Sequence, residues 1–385
     1  MSTRTLTMLA VGDIILGQPN AESNFDLTAP VLRSADVAIG QLEIPFTNRV
    51  IESYYLEIPT EIPAMPGCDP GNISAFSFAG FDLLTLAGNH IWDAGVPGIE
   101  DTINELRKYK IAFVGAGMNI NEARKHVIIE RDGTRFGFLN YNCVGPKMTW
   151  ATPEKPGCAY VYIITHYELD HPTPGSSLPK VYTFIEPHTL RAMIEDIQKL
   201  RPLCDILVVS FHKGVGFVPI DIAWYEQQLS YEAIDAGADV ILGHHAHVLK
   251  GIENYKGKAI FHGLGNFVIA MPPVHEEPVS WAFQQWDERM KDIFGNYNQP
   301  DIVDSEYPWH SETALTMIAK CSIDNKQISR VGYLPCLINK RGQPEILTND
   351  ERGQQVFDYV NKITEKAGLN ALYEWAGDEV VIRSK

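Results

Sequence analysis

The segment VILGHHAHVLKG (residues 240–251) places three histidines within four positions, directly after an apolar run and a glycine. These are His244, His245 and His247. Imidazole side chains crowded this closely need polar partners, and neutral imidazole is the commonest metal ligand in proteins. The segment therefore raises the question of which other residues would complete such a site.

Carboxylate, amide and imidazole side chains recur where other apolar runs stop. They are Asp13, Glu43, Asn89 with His90, and His212, and His262 lies within a further run. The carboxyl ends of strands in an open α/β sheet face one crevice, so we expect these side chains to converge there. A mixed set of nitrogen and oxygen ligands suits a divalent transition metal, and we predict one or two ions of Mn, Zn or Fe per chain.

Alternating strands and helices are predicted to position these residues. Buried strands are predicted over 5–17, 35–43, 81–90, 110–117, 134–142, 205–214, 238–245 and 258–269. Helical spacing predicts helices over 97–109, 188–201 and 222–237, and residues 313–347 and 350–366 are predicted as two or three further strands and a helix. The alternation predicts a layered α/β fold, in one domain spanning 1–385.

Two stretches interrupt this alternation. Residues 146–187 are rich in Pro, Gly and Tyr, and residues 271–312 combine Pro, acidic and aromatic residues. Long irregular segments in compact enzymes are often lids or binding loops, although surface decoration is equally consistent with both stretches. For 271–312 we expect a lid-like wall over the crevice, packed through its aromatic residues Trp281, Phe283, Trp286 and Trp309.

Composition excludes several classes of function. The 385 residues carry a formal net charge of −16, which argues against a nucleic-acid partner because that affinity comes largely from clustered cations. The sequence has neither a Gly-x-Ser-x-Gly elbow nor a Walker loop nor a dinucleotide-binding glycine motif. Six scattered cysteines, an N-terminus without a signal-peptide pattern and the lack of a membrane-length apolar run predict a cytoplasmic protein that does not enter the membrane.

The motifs AVGDIILG, LAGNHIWDAG, SFHKG, GHHAHV and HGLGNFV, taken in order, resemble the CapA family of poly-γ-glutamate capsule proteins. That family is a branch of the calcineurin-like metallophosphoesterases. The resemblance covers about residues 5–270, and it implies a β-sandwich core flanked by helices, with insertions.

The resemblance also implies roles for individual residues. Asp13 matches a ligand of one metal, Glu43 the bridging carboxylate, and Asn89 the amide ligand of the second metal. His212 matches the isolated histidine ligand, and His90 the residue that assists the leaving group. The family's Gly-His-x-His pattern fits His245 and His247 best, one for each metal, because an i, i+2 pair on an extended turn points the same way. The pair His244 with His247 stays open as an alternative.

One position departs from the superfamily pattern. The first motif is Asp-x-His in the superfamily, and here its third residue is Ile15, so one metal lacks a ligand. Either His262, His310 or a water replaces that ligand, or this metal binds weakly. His244 is expected to contact a backbone group or a residue that supports a ligand.

Four further residues are candidates for supporting roles. Asp93 is grouped with the catalytic residues because it is expected to support His90 by hydrogen bonding, and Asn266 is expected to orient the site. His310 is a candidate acid/base group on the substrate side. Lys213 either neutralises an anionic substrate or lies in solvent.

Three functions fit these features. The first is a metal-dependent hydrolase that cleaves an amide, such as a γ-glutamyl bond, or a phosphoester in a small-molecule or peptide substrate, including anionic ones. The second is a metal-dependent peptide epimerase. The third is a non-catalytic component of poly-γ-glutamate or capsule synthesis.

Overall fold

Two large β-sheets form the centre of the protein. The structure is a computed structural model, and it describes residues 4–49, 67–168, 180–272, 301 and 303–384. The strands are β1 (Leu6–Leu16), β2 (Val37–Leu42), β3 (Leu83–Thr85), β4 (Ala112–Val114), β5 (Ala116–Gly117), β6 (Val127–Arg131), β7 (Thr134–Asn142), β8 (Gly157–Cys158), β9 (Ile163–Glu168), β10 (Lys180–Ile185), β11 (Ile206–His212), β12 (Val240–His244), β13 (Leu249–Tyr255), β14 (Lys258–Leu264), β15 (Asn266–Ala270), β16 (Leu315–Asp324), β17 (Gln327–Ile338), β18 (Pro344–Ile346), β19 (Ala371–Ala376) and β20 (Glu379–Ser384).

Helices cover the outer faces of these sheets, except for the last helix, whose buried side chains join the apolar core between the sheets. The α-helices are α1 (Ala29–Ser34), α2 (Ser74–Ala79), α3 (Gly95–Lys108), α4 (Ile120–Ala123), α5 (Pro187–Leu200), α6 (Trp224–Ala236) and α7 (Glu351–Lys366). Short 3-10 helices span Ala21–Phe25, Pro70–Ile73, Lys147–Thr149, Arg201–Leu203 and Ser311–Ala314. Among the described residues, every helix is too short or too polar to span a membrane.

The first sheet has the strand order β19-β20-β17-β16-β1-β2-β3-β4, with β15 also paired to β1 and β18 to β17. Strands β1 to β4 and β15 run parallel, whereas β16 lies antiparallel to β1. The second sheet has the order β13-β14-β12-β11-β7-β6, and β7, β11, β12 and β14 run parallel within it. Each sheet therefore presents a set of parallel strands whose carboxyl ends lie at one edge.

The alternation of side chains along the strands builds four layers. On β11, Ile206 and Val208 join the apolar core that also holds Leu6 and Met8 of β1, and this core fills the space between the sheets. The intervening Leu207 and its alternate neighbours pack instead against α5 and α6. The opposite face of the first sheet packs against α1, α2 and α3. The predicted α/β class, with two layered sheets flanked by helices, is confirmed.

Strand 258–269 of the sequence analysis is two strands rather than one. The chain turns at Gly265, whose φ is 70°, and passes from β14 in the second sheet to β15 in the first. This change of sheet places Asn266 opposite Asp13 of β1. A continuous apolar run does not reveal such a change, because both strands are fully buried.

The described parts of 146–187 form small structures outside the two large sheets. Strand β8 pairs with β5, and β9 pairs with β10 in a separate two-stranded sheet. In 271–312, Trp281, Phe283 and Trp286 lie outside the described residues. The assignment of the chain to a single domain stays a prediction.

Candidate metal centre

Residues from both sheets meet at the carboxyl ends of the parallel strands. Asp13 lies in β1, Glu43 directly follows β2, and His212 ends β11. One ligand atom from each of these three buried side chains lies within 4.8 Å of the others. Asp13 and Glu43 are 30 positions apart in the sequence, and Glu43 and His212 are 169 positions apart. The three residues nevertheless form one cluster at the edge between the sheets.

A local irregularity in β1 positions the Asp13 carboxylate. The register of β1 shifts on both sides of Asp13, and the Asp13 N–H donates to the Gly265 carbonyl at 3.0 Å. The backbone of Gly12 runs so close to this turn that a Cβ there would lie 2.0 Å from the Gly265 oxygen. Glycine at position 12 therefore permits the close approach that brings the two sheets together at the site.

Strand alternation directs two histidines between the sheets. On β12, Val240 and Leu242 face the core between the sheets, and His244 is the next residue of that face. On β11, His212 shares a face with Ile206 and Val208 in the same way. The Nδ1 atom of His244 lies 3.3 Å from Oδ1 of Asp13, so His244 belongs to the cluster itself.

The two following histidines adopt left-handed backbone conformations, with φ of 86° at His245 and 57° at His247. The extended turn assumed in the sequence analysis is therefore wrong, although both rings still lie at the cluster. The His245 ring centroid lies 4.9 Å from that of His212, and His247 Nε2 lies 3.9 Å from Oε1 of Glu43. Non-glycine residues at positive φ are uncommon and tend to occur at functional sites.

Neighbouring groups determine which histidine nitrogens are available. The Asn266 amide nitrogen donates to the Tyr307 hydroxyl at 2.9 Å, so its oxygen faces Nδ1 of His247, also at 2.9 Å. Nδ1 of His247 therefore carries the proton and Nε2 is left with its lone pair. His212 Nε2 lies 2.7 Å from the Asn89 oxygen, which is close enough for both atoms to bind one ion.

Several buried atoms of the cluster have no hydrogen-bond partner. Among the described residues, ten buried side-chain atoms lack a partner, and six of them belong to this cluster: Oδ1 of Asp13, both carboxylate oxygens of Glu43, and Nδ1 of His212, His244 and His245. An unsatisfied buried polar atom costs about 1–3 kcal/mol. Six such atoms in one place therefore indicate a site that binds an ion. The residues therefore fit a metal centre.

Electrostatics agree with this donor set. Burial and the adjacent Asp13 carboxylate raise the pKa of the Glu43 carboxyl well above its usual value. Burial and the neighbouring histidines lower the pKa of His212 well below 6.5, and burial together with His247 lowers the pKa of His245 to about 3. These two imidazoles are thus neutral and retain lone pairs, whereas the Glu43 carboxylate needs a cation to stay ionised.

His90 lies at the mouth of the cluster, with about a third of its side chain exposed. Its Nδ1 lies 2.6 Å from Oδ2 of Asp93, which is the hydrogen bond expected from the sequence. Burial alone would lower the pKa of His90, but the Asp93 carboxylate, with smaller contributions from Glu43 and Asp13, raises it to about 9. His90 is therefore protonated at neutral pH and can donate a proton.

Two candidates lie in a different buried network. Nε2 of His262 lies 3.0 Å from Glu253, and its Nδ1 faces the Lys213 ammonium at 3.4 Å. The proposal that His262 replaces the missing ligand is not supported by this geometry. Lys213 is fully buried and donates to Ser230 and to the Glu226 carbonyl, so both expectations for it, in solvent or at the substrate, are wrong.

The end of the 271–312 segment reaches the cluster. The Trp309 ring lies edge-on to the ring of His247 at 4.8 Å and contacts Phe217 at 5.6 Å. His310, the next residue, accepts a hydrogen bond from the Glu312 N–H through Nδ1, and its Nε2 lies 3.1 Å from Asp301. Trp309 thus packs against the cluster, whereas the lid-like wall expected of 271–312 and the acid/base role of His310 stay predictions.

Comparison with known proteins identifies the family. Residues 7–271 match the model of the family described as bacterial capsule synthesis protein PGA_cap. The chain belongs to this family. The candidate metal-ligand residues discussed above all lie within the matched range, and His310 and Trp309 lie beyond it.

The PGA_cap relatives include two capsule proteins. The chain is 31% identical over 276 residues to the PGA biosynthesis protein CapA of Bacillus subtilis (strain 168), covering 69% of this chain and 64% of that protein. It is 28% identical over 271 residues to the capsule biosynthesis protein CapA of Bacillus anthracis, covering 68% of this chain and 59% of that protein. Less than two-thirds of each relative is therefore matched.

Solved structures give weaker likenesses. One is a putative 5'-nucleotidase from Staphylococcus aureus, with a TM-score of 0.44 and 13% identity over 93% of this chain and 58% of that chain. Another is a calcineurin-like phosphoesterase from Bacillus subtilis, with a TM-score of 0.38 and 12% identity over 94% of this chain and 99% of that chain.

Proposed function

We propose that this PGA_cap protein is a metal-dependent hydrolase that cleaves an amide, such as a γ-glutamyl bond, or a phosphoester. The observation that carries the proposal is the group of six unpartnered, buried side-chain atoms in the cluster at the strand ends. A purely structural polar cluster would be expected to satisfy its own hydrogen bonds, because burying unsatisfied groups is destabilising.

The residues divide into two ligand groups that share Glu43. His212 contacts Asn89 and the ring of His245, whereas His247 contacts Asp13. Both His212 and His247 face Oε1 of Glu43, so we assign Asn89, His212 and His245 to one ion and Asp13 and His247 to the other. Divalent ions of Mn, Zn or Fe bound here would activate a water and polarise the bond to be cleaved. Because Glu43 would bind both ions, its loss should weaken metal binding more than the loss of a residue that binds one ion.

Residues around this cluster supply the remaining functions. His90, held by Asp93 at 2.6 Å, is the proton donor for the leaving group. Trp309 and Phe217 pack around His247 and exclude water from that side. Asn89, His90, His245 and Trp309 are all partly exposed, so the substrate approaches across these four residues. A metal-centred site accommodates an anionic substrate despite the net charge of −16.

Hydrolysis is tested with the purified chain loaded with Mn²⁺ or Zn²⁺ and a panel of γ-glutamyl peptides and phosphoesters. We expect hydrolysis of one class, and loss of that activity on chelation or in Glu43→Gln. Chiral analysis of the same peptides reports epimerisation. The absence of turnover on every substrate, in a protein that retains its metal, would contradict the hydrolase.

The metal content of two variants tests the bridging role of Glu43. Glu43→Gln should lower metal occupancy on both sides of the cluster, whereas Asp13→Asn should lower it on one side only. Metal content after dialysis distinguishes these results without any assay of activity. Equal losses of one equivalent in both variants would contradict a shared carboxylate.

A further inference from the structure

The ligand group around Asp13 is incomplete if it consists only of Asp13, Glu43 and His247. Ile15, two residues after Asp13, offers no donor atom. The structure brings one further imidazole to this side of the cluster. We infer that His244, through its Nδ1 atom, is a direct ligand of the ion held by Asp13, Glu43 and His247, an inference that rests on the proposed metal-dependent function.

Strand geometry fixes the direction of the His244 side chain. His244 is the last residue of β12 and follows Val240 and Leu242 on the face that packs between the sheets. Its ring is 2% exposed and enters this space beside β1. A histidine at a strand end without a function would more commonly bond to a backbone group or to solvent.

Two atoms without partners face each other at this point. Nδ1 of His244 and Oδ1 of Asp13 lie 3.3 Å apart, and neither has another hydrogen-bond partner within the described residues. Two atoms bound at about 2.0–2.2 Å to one tetrahedral or octahedral ion lie at a separation of roughly 3 Å. The distance is therefore that of two ligands of one ion, and it lies beyond that of a good N–H···O hydrogen bond.

The other Asp13 oxygen is already occupied. Oδ2 accepts the backbone N–H of His245 at 3.2 Å and lies 3.5 Å from Nδ1 of His247, which itself donates to Asn266. Oδ1 is thus the oxygen that Asp13 has available for an ion, and it points towards His244. His262, a buried histidine on the neighbouring strand β14, is held by Glu253 and Lys213 instead.

The inference is tested by zinc binding to the full chain and to three variants. His244→Ala removes the ligand, and His244→Asn keeps an amide oxygen close to the position of Nδ1. His262→Gln is the matched control, because His262 is equally buried and Gln keeps a donor towards Glu253. Zinc content after dialysis, titration calorimetry and the thermal unfolding of the metal-free proteins are measured for each.

We expect two zinc equivalents in the wild type and in His262→Gln, and one in His244→Ala. Loss of affinity for the second equivalent should exceed about a hundredfold, since changing groups that merely support a ligand already costs about 10–100-fold. His244→Asn should recover part of this affinity. A second readout is nitrogen NMR of ¹⁵N-histidine-labelled, ¹¹³Cd-loaded protein, in which Nδ1 of His244 should show a one-bond coupling to cadmium.

Each alternative outcome has a distinct meaning. Two zinc equivalents of unchanged affinity in His244→Ala, or a protonated Nδ1 of His244 in the loaded wild type, would overturn the inference alone. Loss of both equivalents from a folded His244→Ala protein would overturn its assignment to a single ion. A wild type that binds no zinc, manganese or iron would overturn the proposed function itself.

Discussion

Histidine spacing in GHHAH is informative at the level of single residues, but its interpretation depends on where the strand ends. The sequence correctly directs attention to these histidines, and an i, i+2 rule applied to 245 and 247 assumes an extended chain. The structure ends β12 at His244, so the strand rule applies to Val240, Leu242 and His244 instead. Counting alternate residues back from each histidine would have identified His244 and His212 as facing the space between the sheets.

The pair of His90 and Asp93 predicts a specific pH dependence. The Asp93 carboxylate raises the pKa of His90, so His90 stays a proton donor until the pH rises through that pKa, near 9. Asp93→Asn removes the charge and should lower this pKa, moving the alkaline limb of kcat/KM to lower pH by about one unit or more. His90→Asn should remove that limb. An alkaline limb unchanged in Asp93→Asn would contradict the assignment of His90 as the acid.

Replacing His310 by asparagine distinguishes a role of this residue in catalysis from a role in stability. Its Nδ1 accepts the Glu312 N–H at the start of the 3-10 helix Ser311–Ala314, and asparagine is also a good residue at such a position. His310→Asn should therefore preserve thermal stability and metal content. If His310 is an acid/base group, turnover should fall by about a hundredfold or more. Turnover close to that of the wild type would restrict His310 to its structural role.

At the scale of elements, the turn at Gly265 explains why part of the site was not predictable. The strand pattern identified most parallel strands, because buried apolar runs with polar ends are a strong local signal. It did not identify β13, β6 or the hairpin of β19 and β20, and it joined β14 and β15 into one strand. Pairing between distant strands decides these features, and no local spacing encodes it.

The approach of β1 to this turn gives a prediction for Gly12. In Gly12→Ala the added methyl group would lie 2.0 Å from the Gly265 oxygen, so β1 and the turn must separate. We expect a loss of stability on the order of 1–3 kcal/mol, as for other overpacked sites, and weaker metal binding at Asp13. Gly216→Ala is the control, because a Cβ there meets no described atom within 4 Å. Denaturant unfolding and zinc titration compare the two, and equal behaviour would contradict the role of this approach.

At the scale of the whole molecule, two sheets and the chain crossing between them bring candidate ligands from distant parts of the sequence together. The layered α/β class followed from the alternation of predicted strands and helices, and the resemblance to CapA proteins indicated the family. The partners of Lys213 and His262 were not predictable, because a buried ionic network forms only when several strands and α6 are packed. The packing of Trp309 was predictable from its aromatic character, since a large apolar ring is rarely left in solvent.

The location of bound metal tests the central claim most directly. Crystals of the full chain soaked in Zn²⁺ and measured at the zinc absorption edge would show anomalous peaks at each ion. We predict two peaks, about 3.5–4 Å apart as in other two-metal sites and both within bonding distance of Glu43. One peak should also contact Asn89, His212 and His245, and the other Asp13, His244 and His247. Peaks elsewhere on the protein, with none at Glu43, would contradict the account.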